Sequence, residues 1–133
     1  MLKLYTDAAT KGNPGLSAAG LLIVDGTHTI ERTVELGQMD NHSAEFAAAI
    51  AGLELLLEEG YAGQNVSLFS DSQVLIDALG KGYSKHHAAA LERLQKLADN
   101  FPLLIPSWQS DRVNKGAHTL ALRRLNEIER KDG

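Results

Sequence analysis

The fold turns on the opening stretch Leu2-Lys3-Leu4-Tyr5-Thr6-Asp7-Ala8-Ala9-Thr10-Lys11-Gly12-Asn13-Pro14-Gly15. Leu2, Leu4 and Thr6 alternate with Lys3 and Tyr5, the period of a half-buried strand, and the spacing predicts a strand over 2–8. Gly12-Asn13-Pro14-Gly15 is a strong turn signal. Asp7 is therefore expected near the end of a strand, beside a tight turn. Two more carboxylates stand in similar settings. Glu45 lies at the head of an Ala-rich helical segment, and Asp71 follows the apolar run Val66-Ser67-Leu68-Phe69. Acidic residues at element ends, far apart in sequence, are what a fold uses to build a divalent-metal site.

Working outward, the chain of 133 residues has the length of one domain with one substantial core, and no linker or repeat divides 1–133. No apolar run is long enough to span a membrane, and Asp7 interrupts any signal-peptide pattern almost at once. The absence of cysteine excludes disulfides and thiolate metal sites and fits a reducing, cytoplasmic setting. A net charge of -4 argues against a general nucleic-acid binder, yet bound divalent cations would neutralise acidic groups locally.

Periodicity orders the rest. Residues 17–24 and 27–36 read as two further strands of an antiparallel meander, with Asp25-Gly26 as the turn between them. Asp40-Asn41-His42-Ser43 offers several N-caps for a helix over 44–59, closed by Gly60. A fourth strand over 65–70 precedes helices over 72–79 and 85–100. A fifth, over 103–109, carries Pro106 and so suits a sheet edge. A last helix covers 113–130. The order βββαβααβα predicts an α/β domain, a mixed sheet with helices packed on its faces.

Four segments, taken in order, resemble ribonuclease H of type 1. They are Thr6-Asp7 with Gly12-Asn13-Pro14-Gly15; Asn41-His42-Ser43-Ala44-Glu45; Ser70-Asp71-Ser72-Gln73; and Asn114-Lys115-Gly116-Ala117-His118-Thr119-Leu120-Ala121. The resemblance implies a ribonuclease H-like five-stranded mixed sheet, three strands antiparallel and two parallel. It implies hydrolysis of the RNA strand of an RNA–DNA hybrid with two Mg2+ or Mn2+ ions. Asp7, Glu45 and Asp71 take the positions of three acidic ligands, with Asp7 bridging. The fourth position, an aspartate in most members, is His118 here. Asn13, Asn41, His42 and Gln73 match positions that read 2′-hydroxyls in the minor groove. Lys11, Lys81, Lys85 and Lys115 are the candidate phosphate contacts. Two further departures are a short link from Gln109 to Asn114, without the histidine usual there, and the lack of a basic, Trp-rich insertion after the second helix.

Each residue also has an ordinary reading. Asp7 could be a turn aspartate. Glu45 could answer the helix dipole or close a capping box. Asp71 could cap the helix that follows it. His118 could be a bystander on the surface, His86-His87 a solvated helix start, and Trp108 a packing residue in or beside the sheet. As a ligand, His118 offers a neutral nitrogen in place of an anionic oxygen, which favours manganese over magnesium. The alternative functions are a catalytically weak or inactive module that binds hybrid or structured nucleic acid, and a nuclease of the same fold acting on single-stranded RNA. A monomer is expected.

Overall fold

The computed structural model describes residues 1–132, so the last residue of the expected 1–133 domain, Gly133, lies outside the described residues. Five strands and four helices follow in the expected order: β1 Leu2–Gly12, β2 Gly15–Asp25, β3 His28–Met39, α1 Asn41–Glu58, β4 Val66–Ser70, α2 Gln73–Lys81, α3 Ala88–Ala98, β5 Leu104–Trp108 and α4 Lys115–Asp132. The sheet runs β3-β2-β1-β4-β5. β1, β2 and β3 pair antiparallel, whereas β4 runs parallel to β1 and β5 parallel to β4. β5 sits at the edge, where Pro106 costs no ladder bond to an outer neighbour.

β1 corrects one expectation. Asp7 is in the middle of its strand, because Ala8 to Lys11 pair onward with Ala19 to Leu16 and the turn closes only at Gly12–Gly15. The parallel pairing with β4 stops much earlier, at Tyr5 opposite Phe69. Asp7 thus emerges at the carboxyl end of the parallel pair, the position where open α/β sheets place ligands.

Strand alternation splits the two faces. Leu2 and Leu4 of β1, with Leu68 of β4, join Phe46, Leu53 and Leu56 of α1, Leu75 of α2 and Leu94 of α3 in the main core. Each fully buried side chain of this kind contributes roughly 1.5–3 kcal/mol. On the opposite face Ala9 and Ala18 meet Ala121, Leu125 and Ile128 of α4. Small residues set the depth of both contacts. A Cβ on Gly52 of α1 would lie 2.8 Å from the Thr6 methyl, and one on Gly20 of β2 would lie 2.0 Å from the Ala117 carbonyl oxygen of α4. Only glycine lets α4 approach β2 this closely.

Helix starts differ from expectation for local reasons. α1 begins at Asn41 because Asp40 caps it, accepting from the Ser43 backbone N–H and hydroxyl at 2.8 Å each. α3 begins at Ala88, after a stretch in which the Ser84 hydroxyl accepts from the His87 N–H. Among the described residues no helix is long and apolar enough to cross a membrane.

Candidate metal centre

Four elements deliver side chains to the carboxyl end of β1 and β4. Asp7 comes from β1, Glu45 from the second turn of α1, Asp71 from the residue after β4, and His118 from the first turn of α4. Ligand atoms of Asp7, Glu45 and Asp71 lie within 4.8 Å of one another, and so do those of Asp7, Asp111 and His118. Asp7, only 2 % exposed, belongs to both groups, and its Oδ2 lies 2.7 Å from His118 Nδ1.

The ordinary readings of three residues fail on this geometry. Asp7 is in a strand, not a turn. Asp40, not Glu45, answers the start of α1. Ser72 caps α2, its hydroxyl accepting from Leu75 N–H at 3.2 Å, so Asp71 is free of that duty. Asp71 is held instead by its backbone: its carbonyl accepts from Trp108 Nε1 at 2.9 Å. Trp108 is half exposed and clamps the ends of β4 and β5 together. Asn114 does the same for α4, its buried Nδ2 donating to the Thr6 carbonyl at 2.9 Å, one residue before Asp7.

Crowding of like charges shapes the electrostatics. Burial, then the Asp71 carboxylate, pushes Asp7 up to about 7 against the lowering effect of His118. Burial, then a hydrogen bond to Asp71 and the charge of Asp7, pushes Glu45 up to about 10. Burial raises Asp71 too, but hydrogen bonds from Asp111, Glu45 and Asp7 carry its net shift downward, so Asp71 is the standing anion. Burial alone would lower His118; its hydrogen bond to Asp7 and the charges of Asp7, Asp111 and Asp71 outweigh it, and the net shift is upward. The Asp7–His118 pair therefore holds its proton more tightly than the separate groups would.

This donor set fits a hard divalent cation. Its carboxylate oxygens are the ligands such ions prefer, and Glu45 Oε1 is buried without a hydrogen-bond partner in the fold. Among the described residues no lysine or arginine forms an ion pair with Asp7, Glu45, Asp71 or Asp111. A cation would relieve the repulsion that raises Asp7 and Glu45.

The other expected residues divide. Asn41, His42 and Gln73 line a cleft of about 320 Å³ together with Glu45 and Asp71. Asn13 stands beside it, its Oδ1 accepting from the Asn41 N–H at 3.0 Å and so tying the β1–β2 turn to the start of α1. Gln73 Nε2 donates to Asp77 at 2.8 Å. Lys81 and Lys85 line a neighbouring cleft of about 400 Å³ with His42, His86 and His87. His87 is more than a solvated helix start, for its ring stacks on buried Phe46 at 4.6 Å. Lys11 is engaged elsewhere, paired with Glu129 of α4 at 3.1 Å. Asp111 was not anticipated from the sequence. Its one signal was an acidic residue in the short link that leads into α4.

The RNase H family model matches residues 1–104, most of the chain, although Asp111 and His118 lie beyond that match. A protein of Enterococcus faecalis named "Putative hydrolase EbsB" is 37% identical over 130 residues, covering 96% of each chain. A ribonuclease H of Desulforamulus reducens is 36% identical over 84 residues, which is 63% of this chain and only half of that relative. Among solved structures, ribonuclease H1 of the archaeon Halobacterium salinarum superposes with a TM-score of 0.87 at 27% identity, over 95% of this chain and 98% of that one. LC11-RNase H1, solved in complex with an RNA/DNA hybrid, superposes with a TM-score of 0.88 at 22% identity, over 96% and 99%, a likeness of fold.

Proposed function

The chain belongs to the ribonuclease H family of hydrolases, and from that premise we propose that it is a metal-dependent endoribonuclease hydrolysing the RNA strand of RNA–DNA hybrids. The observation that carries this reading is the placement of Asp7 in two ligand groups at once. Asp7, Glu45 and Asp71 would hold one divalent cation, and Asp7 with His118 would hold part of a second. Mg2+ or Mn2+ bound there would supply an activated water and stabilise the leaving oxygen of an in-line displacement.

The protein's own contribution is binding, orientation and proton control. Asn41, His42 and Gln73 line the cleft beside Glu45 and Asp71 with uncharged donors and acceptors, suited to 2′-hydroxyls and base edges. Asn13 keeps the turn next to them in place through Asn41. Lys81 and Lys85 supply positive charge along the adjoining cleft, where a phosphate backbone would run. His118 Nδ1 controls the proton on the Asp7 side of the site, since the two share a hydrogen bond. The absence of cysteine fits a reducing, cytoplasmic setting, and we propose that the protein works there as a monomer.

A second reading is a weak or inactive module that binds hybrid without cutting it, and the histidine in place of a fourth helix carboxylate favours it. One assay separates the two. A hybrid labelled on its RNA strand is incubated with Mg2+ or Mn2+, with RNA duplex, DNA duplex and single-stranded RNA as controls. Cleavage confined to the hybrid and abolished by chelator supports the enzyme. Hybrid that is bound yet uncut under both metals supports the binding module.

A further inference from the structure

We propose that Asp111 is a metal ligand of this site, so that its fourth carboxylate comes from the link before α4 and not from α4 itself. The inference deepens the reading of the site as a metal centre and rests on it. Ligand atoms of Asp111, His118 and Asp7 lie within 4.8 Å of one another, and this group shares only Asp7 with the group formed by Glu45 and Asp71. The His118 ring stands between two carboxylates, its Nδ1 2.7 Å from Asp7 Oδ2 and 3.8 Å from Asp111 Oδ1.

The backbone fixes where Asp111 can point. Gln109 N–H donates to the Ser70 carbonyl at 2.8 Å, beside Asp71. Asn114 is anchored to the Thr6 carbonyl, beside Asp7. Between these anchors the link closes on itself, with Val113 N–H and Asn114 N–H both donating to the Ser110 carbonyl at 3.0 and 2.9 Å. Both ends of the link are thus tied to the residues next to two ligands, and Asp111 is carried into the site by a five-residue turn. Its side chain is 51 % exposed, accessible to an ion arriving from solvent, and among the described residues it pairs with no lysine or arginine.

Charge balance supports the assignment. With neutral His118, the carboxylates Asp7, Glu45 and Asp71 supply three negative charges. Asp111 makes four, the charge of two divalent cations. Without Asp111, the second cation would meet one shared carboxylate and one neutral ring, a poor site for a hard ion.

The test is Mn2+ binding measured by the electron paramagnetic resonance signal of the free ion, with no substrate present. Wild type, Asp111→Asn and Asp7→Asn are compared, and circular dichroism melts confirm that each variant is folded. Asp111→Asn should weaken Mn2+ binding at least roughly tenfold, since loss of even an outer-sphere partner costs that much. Asp7→Asn should weaken it further. If Asp111→Asn titrates like wild type while Asp7→Asn is weakened, Asp111 is no ligand and the metal-centre reading stands. If both variants titrate like wild type, the metal-centre reading falls and this inference falls with it.

Discussion

Asp7 and Gly20 lie directly opposite one another on β1 and β2, so the residue that lets α4 settle on the sheet is the ladder partner of the residue that His118 must reach. A Cβ on Gly20 would sit 2.0 Å from the Ala117 carbonyl oxygen and 2.6 Å from Ala121 N, both backbone atoms that cannot swing aside. Gly20→Ala should therefore lift α4, lengthen the contact between His118 and Asp7, and destabilise the fold by about 1–3 kcal/mol, the usual cost of overpacking. Denaturant melts and Mn2+ titration would both report it. A variant that melts and binds Mn2+ like wild type would disconnect the helix seat from the site.

Acid and base should act in opposite senses on stability and on metal binding. Asp7, at about 7, and Glu45, at about 10, both hold protons more tightly in the folded chain than in the unfolded one. His118 is raised as well. The folded state therefore binds more protons, and in chelator its stability falls as pH rises from the ordinary carboxylate range through 7 and above. Metal binding needs the deprotonated ligands and rises over the same window. Melting temperatures in chelator and in Mn2+, compared at pH 5.5 and 8.5, should diverge as pH rises. A metal-induced shift equal at both pH values would contradict the assignment.

Two variants decide the role of His118. His118→Asp restores an anionic oxygen and should raise magnesium-dependent cleavage. His118→Ala should reduce manganese-dependent cleavage, because it removes a nitrogen ligand and releases Asp7 from its hydrogen bond. Equal rates for wild type and His118→Ala in both metals would make the histidine a bystander.

Among the lysines, position should decide salt dependence. Lys81 lines the cleft next to His42, whereas Lys11 of β1 is paired with Glu129 of α4. Lys81→Ala should lower the salt slope of hybrid binding by roughly one unit. Lys11→Ala should leave it nearly unchanged. Fluorescence anisotropy over a salt series measures both, and the reverse order would relocate the phosphate path.

The strand alternation before Asp7 and the helical spacing in α1, α3 and α4 were legible because burial imposes a period on the sequence. The turn at Gly12–Gly15 was legible too, but not how far the hairpin extends. Ala9 to Lys11 have no alternation of their own and are strand because β2 pairs with them. At the site, Asp7, Glu45 and Asp71 stood in recognisable motifs, although Asp7 lies inside its strand and not at the end where the sequence placed it. Asp111 stood in none. It lies in a link with no period, and its position depends on a local turn from Ser110 to Asn114 and on two anchors, Gln109 to Ser70 and Asn114 to Thr6, whose partners are distant in sequence. The seating of α4 over Gly20 was equally hidden, since a lone glycine in a strand does not say what approaches it.

If Asp7 organises a metal-dependent hydrolytic site, its carboxylate is indispensable to cleavage. Asp7→Asn keeps the volume and removes the shared charge, so the most direct measurement is cleavage of the labelled RNA strand of a hybrid by this variant beside wild type, in Mn2+, with circular dichroism on both. Wild type should cleave the hybrid, Asp7→Asn should not, and their spectra should superimpose. A folded Asp7→Asn protein that cuts the hybrid at the wild-type rate would contradict that role for Asp7.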